Sequence, residues 1–227
     1  MTRTYPTNEQ PSNTDGRRGI VRTATTNDLP GIVDIHQKAF SHFFLTQLGG
    51  EFLRKYYGLV LDYRAGIMLV SERPGVLEGF ACGFVDPAEF YRLMWRSRGT
   101  FALPVLWALV RRPSLATKVL SGVHRIQTPE SEWPARSCEL SSIAVAPDTS
   151  GNGLGKTLMR AFLAQARSMD AQCVYLTTDA DGNDAVNAFY RDVGFKPTRR
   201  FLQRKGRWMN EYVISGTEAG NSCETHL

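Results

Sequence analysis

The sequence predicts an α/β domain in which strands and helices are gathered around one core. Three observations lead there. Short β-like apolar runs alternate with stretches of helical period. Two of the runs are joined by Arg73-Pro74-Gly75, which is turn chemistry for a hairpin. In the second half a strand, a glycine-rich turn and an amphipathic helix follow one another directly. With 227 residues, 42% hydrophobic and 22% charged, the chain suits one domain over 19–214 with one full core.

In order, "GIVRTAT" (Gly19 to Thr25) alternates like a short strand. "TNDLPGIVDIHQKAF" then offers Thr26 or Asn27 as a cap before apolar positions at Leu29, Ile32, Val33, Ile35 and Phe40. A second helix covers "GGEFLRKYYGLVLDY", and "AGIMLVSE" with "VLEGFACGFV" forms the hairpin. Residues 86–133 interrupt the pattern as a helical insertion between the third and fourth strands, in pieces broken near Gly99, Pro104 and Pro113. After it come a strand in "SCELSSIAVAP", the glycine turn, and a helix over 153–169. That helix aligns Leu154, Leu158, Ala161, Phe162 and Gln165 on one stripe. "QCVYLTT" is a strand, "DAVNAFYRDVG" a helix, and "FKPTRRFLQRKG" with "RWMNEYVI" a closing hairpin. Residues 1–18 read as a disordered leader without the apolar core of a secretion signal, and 215–227 as a polar tail. The cytoplasm is the expected compartment.

The formal net charge of +5 and pI near 9.1 suit an anionic ligand or surface, and are too small to imply nucleic acid. Cys82, Cys138, Cys173 and Cys223 lie far apart, and His36, His42, His124 and His226 show no ligand spacing. Neither a disulfide framework nor a metal site is expected. The basic charge concentrates in the insertion: Arg92, Arg96, Arg98, Arg111, Arg112, Lys118 and Arg125 fall between Phe90 and Arg125 with no Asp or Glu among them. Its apolar centre, Phe101 to Val110, is ten residues long, half of the roughly 20 that a bilayer span needs.

In "VAPDTSGNGLGKT", Gly151, Gly153 and Gly155 recur at every second position ahead of Lys156-Thr157. Glycines there open backbone angles closed to other residues, and N–H groups leading into a helix make an anion site. A triphosphate P-loop needs glycine at 150, which is Ser150; a dinucleotide fingerprint needs it at 156, which is Lys156. "LSSIAVAPDTSGNGLGKTLM" resembles instead the strand and acetyl-CoA loop of the GCN5-related N-acetyltransferase (GNAT) family, Gln/Arg-x-x-Gly-x-Gly/Ala after a hydrophobic strand and a proline. "NDAVNAFYRDVGF", about 30 residues on, resembles that family's later helix, where Asn begins the element and Tyr precedes Gly-Phe. Ser150 departs from the family's Gln or Arg, which leaves binding to the loop's main chain.

The resemblance implies a GNAT-type acyl-CoA N-acyltransferase fold, with a mixed, mainly antiparallel central sheet flanked by helices, and an acetyl-CoA-dependent N-acetyltransferase acting by direct attack in a ternary complex. The main chain of Ile143, Ala144 and Val145 would pair with the pantetheine arm, with a Val145 or neighbouring N–H facing the oxyanion. Ser150, Gly151, Asn152, Gly153, Leu154, Gly155 and Lys156 would cradle the pyrophosphate. Asn183 is a further cofactor contact or a helix cap. Tyr190 would protonate the leaving thiolate, since a phenol near pKa 10 can donate to a thiolate near 8.5. Glu139, four residues before Ile143, is the candidate base; Ser141 and Ser142 are candidates to orient a water. The family's substrates range from antibiotics and polyamines to protein N-termini, lysines and amino sugars; the acceptor expected here is a small-molecule primary amine, and the basic insertion suits an anionic one such as a nucleotide-linked or lipid-linked amino sugar. Peripheral membrane contact through 90–125, with Trp107 at the interface, and a homodimer contact are alternative uses of that segment. On the residues alone, a non-catalytic acetyl-CoA-binding sensor stays open beside the enzyme.

Overall fold

The computed structural model describes residues 19–117, 119–120, 133–149, 151–203 and 206–215. The leader, residues 216–227 of the tail, Ser150, Lys118 and Arg125 lie outside them.

Strand β1 (Ile20–Thr23) leads through a short 3-10 turn into helices α1 (Leu29–Ala39), α2 (Phe44–Gln47) and α3 (Gly50–Asp62). The hairpin β2 (Gly66–Arg73) and β3 (Val76–Val85) follows, then α4 (Pro87–Arg96) and α5 (Arg98–Arg111) of the insertion. The second half is β4 (Ser137–Val145), α6 (Leu154–Ser168), β5 (Cys173–Asp179), α7 (Asp184–Asp192), β6 (Lys196–Gln203) and β7 (Arg207–Ser215). All seven strands join one sheet in the order β1-β2-β3-β4-β5-β7-β6. Every neighbouring pair is antiparallel except β4 and β5, whose connection crosses over through α6. The mixed, mainly antiparallel sheet expected from the sequence is therefore present.

Strand alternation divides the core into two layers. Phe80, Cys82 and Phe84 of β3 pack with Ile32 and Ile35 of α1, Phe52, Tyr56 and Tyr57 of α3, Phe90 of α4 and Phe101 of α5. Ala81 and Val85 face the opposite side, where Leu158, Met159, Phe162 and Leu163 of α6 meet Tyr190, Phe195 and Tyr212. The insertion thus extends the α1/α3 layer and leaves α6 alone with α7 on the other.

Three local expectations need correction. The first cap is Thr25, one or two residues before Thr26 and Asn27: the Asp28 carboxylate accepts from the Thr25 N–H (2.7 Å) and hydroxyl (2.9 Å) and pairs with Arg22 (2.8 Å). Pro104 does not break its helix, because α5 runs from Arg98 to Arg111 with Pro104 inside it. The lost backbone bond is offset by burial of Phe101, Pro104 and Ala108 on one face, and the break falls at Ser97 instead of Gly99. Gln165 is exposed, and Met159, Leu163 and Ala166 complete the buried face of α6.

His36 is buried in the α1/α3 layer, its Nδ1 2.6 Å from the Tyr57 hydroxyl and its Nε2 without a partner among the described residues. Burial pushes its pKa down from 6.5 to about 4, so the folded state prefers the neutral ring. The unfolded chain binds the proton more readily, and stability present above pH 6.5 falls as pH drops towards 4. The difference corresponds to about 3 kcal/mol. Urea titrations at pH 7 and pH 5 are expected to show a loss in wild type that His36→Phe largely removes.

Candidate active site

The site begins where the sheet comes apart. β4 and β5 pair in parallel only over Ser137–Glu139 and Cys173–Tyr175. Beyond that β4 stays with β3 up to Val145, and β5 stays with β7 down to Asp179. Between them the edges of Leu140–Val145 and Leu176–Asp179 face a fork with no shared ladder among the described residues. An unpaired main-chain edge inside a sheet needs hydrogen-bond partners from elsewhere. Ile143, Ala144 and Val145 all lie on it.

The cause of the bend is local. Cys82 pairs with Ser142 and Gly83 with Leu140, so Ser141 is an extra residue on β4, and such a bulge bends a strand and increases its twist. Gly83 is required there: a Cβ would collide with the Glu139 carbonyl oxygen and come within 2.6 Å of the Phe162 ring. The bulge also turns Ser141 and Ser142 to the α3 side. Ser141 Oγ lies 2.6 Å from the Tyr56 hydroxyl.

β4 ends where the Ala146 N–H donates to Glu78 O (2.7 Å), and the chain then turns through Pro147–Thr149 into the glycine loop. Gly151 and Gly153 have φ of +87° and +75°, while a Cβ on either would meet no atom within 4 Å. Backbone conformation, and not crowding, demands glycine at both. Gly155 sits in the first turn of α6, where a Cβ would make ordinary contact with Phe189 at 3.5 Å. Nothing in the fold requires glycine there, and it costs about 1 kcal/mol of helix propensity. Its effect is to leave the surface over the helix N-terminus bare. The N-cap of α6 is Gly153, which has no side chain to cap it, so among the described residues the first-turn N–H groups, with those of Gly151, Asn152 and Gly153, are suited to an anion. Lys156 stands beside them, 3.5 Å from Asp192 on α7.

On the α3 side of the fork, Glu139 is 9% exposed. Its Oε1 accepts from the Tyr91 hydroxyl (2.9 Å) and its Oε2 from the Tyr175 hydroxyl (3.0 Å). Two phenol donors hold the carboxylate's direction. It forms part of the wall of a cavity of about 780 Å³. Tyr56, Tyr91, Ser141, Tyr175 and Thr177 also line it, while α2 and the residue after it, α3, α4 and α5 supply Phe44, Leu48, Phe52, Met94, Phe101 and Val105. Arg98 is the one cation among the described lining residues.

Tyr190 lies on the opposite, α6 side, 7% exposed and in ring contact with Phe189, Phe195 and Tyr212. Burial pushes its phenol well above the ordinary tyrosine value, so the hydroxyl keeps its proton at neutral pH. Asn183 does not cap α7 through its side chain. Its Nδ2 donates to Thr178 Oγ1 (2.9 Å) and Asp179 O (3.1 Å), fixing the end of β5. Cys138 is fully buried and its thiol is pushed up by burial and by Glu139, which makes it a poor nucleophile. Among the described residues no group of three or more His, Cys, Asp or Glu is placed to hold a metal.

Sequence reasoning missed Tyr91, Tyr175 and Tyr56. Tyr91 and Tyr175 reach Glu139 across separations of 48 and 36 residues, and no local pattern signals such contacts. The insertion's arginines were expected to face the acceptor; only Arg98 among the described ones lines the cavity.

A strand fork, a helix N-terminus approached by glycines, and a carboxylate at the wall of a half-open cavity are the features that an acyltransferase would need for an acyl thioester and its acceptor. Residues 29–195 match the acetyltransferase (GNAT) family, and the chain belongs to it. The chain is 37% identical over 100 residues to the N-alpha-acetyltransferase RimI of Mycobacterium tuberculosis, over 44% of this chain and 53% of that protein. It thus spans about half the length of that curated relative. The ribosomal-protein-S18-alanine N-acetyltransferase of Escherichia coli superposes with a TM-score of 0.56 at 15% identity, covering 90% of this chain and 97% of that one. YncA of Salmonella typhimurium, solved with its cofactor acetyl-CoA, gives 0.55 at 16% identity over 90% and 98%. The spermidine/spermine N-acetyltransferase SpeG of Vibrio cholerae gives 0.54 at 15% over 90% and 96%. These structures share the fold, and their names cover different acceptors, so the fold does not choose one.

The glycine loop gives an immediate prediction. Gly153→Val places a β-branched residue at φ +75°, a strain of about 1–2 kcal/mol. Acetyl-CoA affinity measured by calorimetry is expected to fall about tenfold, and the same strain lowers the unfolding midpoint by about 2–8 °C.

Proposed function

We propose that the protein transfers the acetyl group of acetyl-CoA to a primary amine borne on a large apolar body, with a protein N-terminus that begins in bulky apolar residues as the first acceptor to test. The observation that supports this acceptor is the cavity of about 780 Å³, apolar towards α2 and α5 and polar at Glu139. An amine would take the polar end and its apolar substituent the rest. A nucleotide-linked sugar would need several cations, and Arg98 is the one described lining residue of that kind. The similarity to RimI supports a protein amine.

The residues of the fork fit the donor. The edge of Ile143–Val145 offers main-chain groups to the pantetheine amides, and Gly151 to Lys156 offer N–H groups to the pyrophosphate. When bound, acetyl-CoA supplies the thioester carbonyl and the thiolate leaving group. Glu139 takes the proton of the attacking ammonium at a carboxylate oxygen, directly or through a water held by Ser141, while Tyr91 and Tyr175 keep that carboxylate aimed. A main-chain N–H of the fork edge donates to the carbonyl oxygen as charge develops. Tyr190, on the other face of the sheet, donates its hydroxyl proton to the departing sulfur. Base and acid on opposite sides of the fork suit an attack from one side and a departure to the other.

Thiol release from acetyl-CoA tests the reading with a series of n-alkylamines, peptides with apolar or polar first residues, glucosamine and spermidine. At about 0.8 kcal/mol per buried methylene, kcat/KM is expected to rise about fourfold per added CH2 until the cavity fills. A preference for glucosamine or spermidine would refute the apolar acceptor. Acetyl-CoA binding without turnover of any amine would replace the enzyme by the sensor.

A further inference from the structure

Helix α5 is apolar around its whole circumference. Phe101, Pro104 and Ala108 face inwards and are buried. Leu103, Leu106, Trp107 and Val110, at the i, i+3, i+4, i+7 spacing of a single stripe, face outwards and are 78%, 58%, 56% and 72% exposed. The inward face accounts for the fold and the cavity; the outward face has no use in either. A surface helix is ordinarily polar on its outer side, and a contiguous outward apolar stripe marks a contact surface.

The charges around the stripe identify what covers it. The Arg111 guanidinium lies 3.3 Å from the centre of the Trp107 ring, on the stripe itself. Arg92, Arg96 and Arg112 are exposed nearby in sequence, and there is no Asp or Glu between Phe90 and Arg125. On the adjoining helices Glu89 is paired with Arg64 (2.8 Å) and Glu51 with Arg54 (2.9 Å), while Asp62 is the exposed last residue of α3. A stripe of leucine, valine and tryptophan bordered by cations alone is complementary to an anionic lipid surface, where tryptophan and arginine occupy the boundary between headgroups and acyl chains. No helix of the described residues is long and apolar enough to cross a membrane, so the contact is lateral. We propose that the outer face of α5 seats the protein on an anionic bilayer surface, with Leu103, Leu106, Trp107 and Val110 in the acyl boundary and Arg111 and Arg112 at the lipid phosphates.

The inference does not depend on which amine is acetylated. The full chain is sedimented with vesicles of phosphatidylcholine alone and of phosphatidylcholine mixed with phosphatidylglycerol. Binding is expected only to the mixed vesicles and is released by salt. Arg111→Gln and Arg112→Gln are each expected to weaken it about fivefold, and Leu103→Ala with Val110→Ala by more than about tenfold. These positions are exposed and outside the cavity, so acetyl-CoA affinity is expected to be unchanged in every variant and reports that the fold is intact. No binding to mixed vesicles, equal binding to both kinds, or full binding by the Leu103/Val110 variant would each overturn the proposal. A dimer that the same double substitution dissociates, with no vesicle binding, would assign the stripe to a second copy of the chain instead.

Discussion

Glu139→Gln is expected to lower kcat/KM for the acceptor by about 10²- to 10³-fold at neutral pH, within the range that a positioned general base contributes. Glutamine preserves the length and planarity of the side chain, so the cavity wall keeps its shape. It removes the group able to take the ammonium proton, and one of its two ends now donates where both carboxylate oxygens accepted from Tyr91 and Tyr175. The deficit should shrink as pH rises, because more of the amine is then already neutral. Acetyl-CoA affinity is expected to stay within about twofold, since Glu139 lies on the α3 side of β4, away from the loop at Gly151 to Lys156. A pH-rate profile of variant and wild type measures both features. A variant rate equal to wild type at every pH would remove Glu139 from the base role and leave it as a buried anchor for two phenols.

Tyr190→Phe is expected to reduce kcat about 10²-fold with little change in acetyl-CoA affinity. The ring contacts with Phe189, Phe195 and Tyr212 survive the change, so it isolates the hydroxyl from the packing. Burial holds the phenol above its ordinary value, which keeps the acid form present through neutral pH. The wild-type rate should therefore show no loss assignable to Tyr190 up to pH 9. Single-turnover thiol release, read beside the unfolding midpoint, separates the two roles. A shifted midpoint with unchanged thiol release would mean that Tyr190 only packs.

Much of the fold was legible in the sequence because its signals are local. Alternation in "GIMLVSE" and "VLEGFACGFV", the turn at Pro74-Gly75 and the glycines after Val145 are each written within a few residues, and the elements follow them. The glycine loop was legible for the same reason: the backbone angles at Gly151 and Gly153 require glycine at those positions. Asn183 shows the limit, since its place before a helix suggested a cap while its amide instead ties down Thr178 and Asp179. The acceptor side was largely illegible. Tyr56, Tyr91 and Tyr175 come from α3, α4 and β5, and only the folded sheet brings them to Glu139 and Ser141. The insertion's arginines suggested an anionic acceptor; in the fold its apolar residues form part of the cavity wall, and of its described arginines Arg98 alone lines it.

The most direct test of a ternary complex with an apolar acceptor in this cavity uses Val105→Trp, which fills the α5 end of the wall far from the glycine loop. Transfer of labelled acetyl from acetyl-CoA to a peptide with a bulky apolar first residue is compared between the variant and wild type. The account predicts that kcat/KM for the peptide falls more than about 30-fold, as expected when more than about 2 kcal/mol of apolar burial is lost, while acetyl-CoA affinity is unchanged. Undiminished transfer by the variant would place the acceptor somewhere other than this cavity and contradict the account.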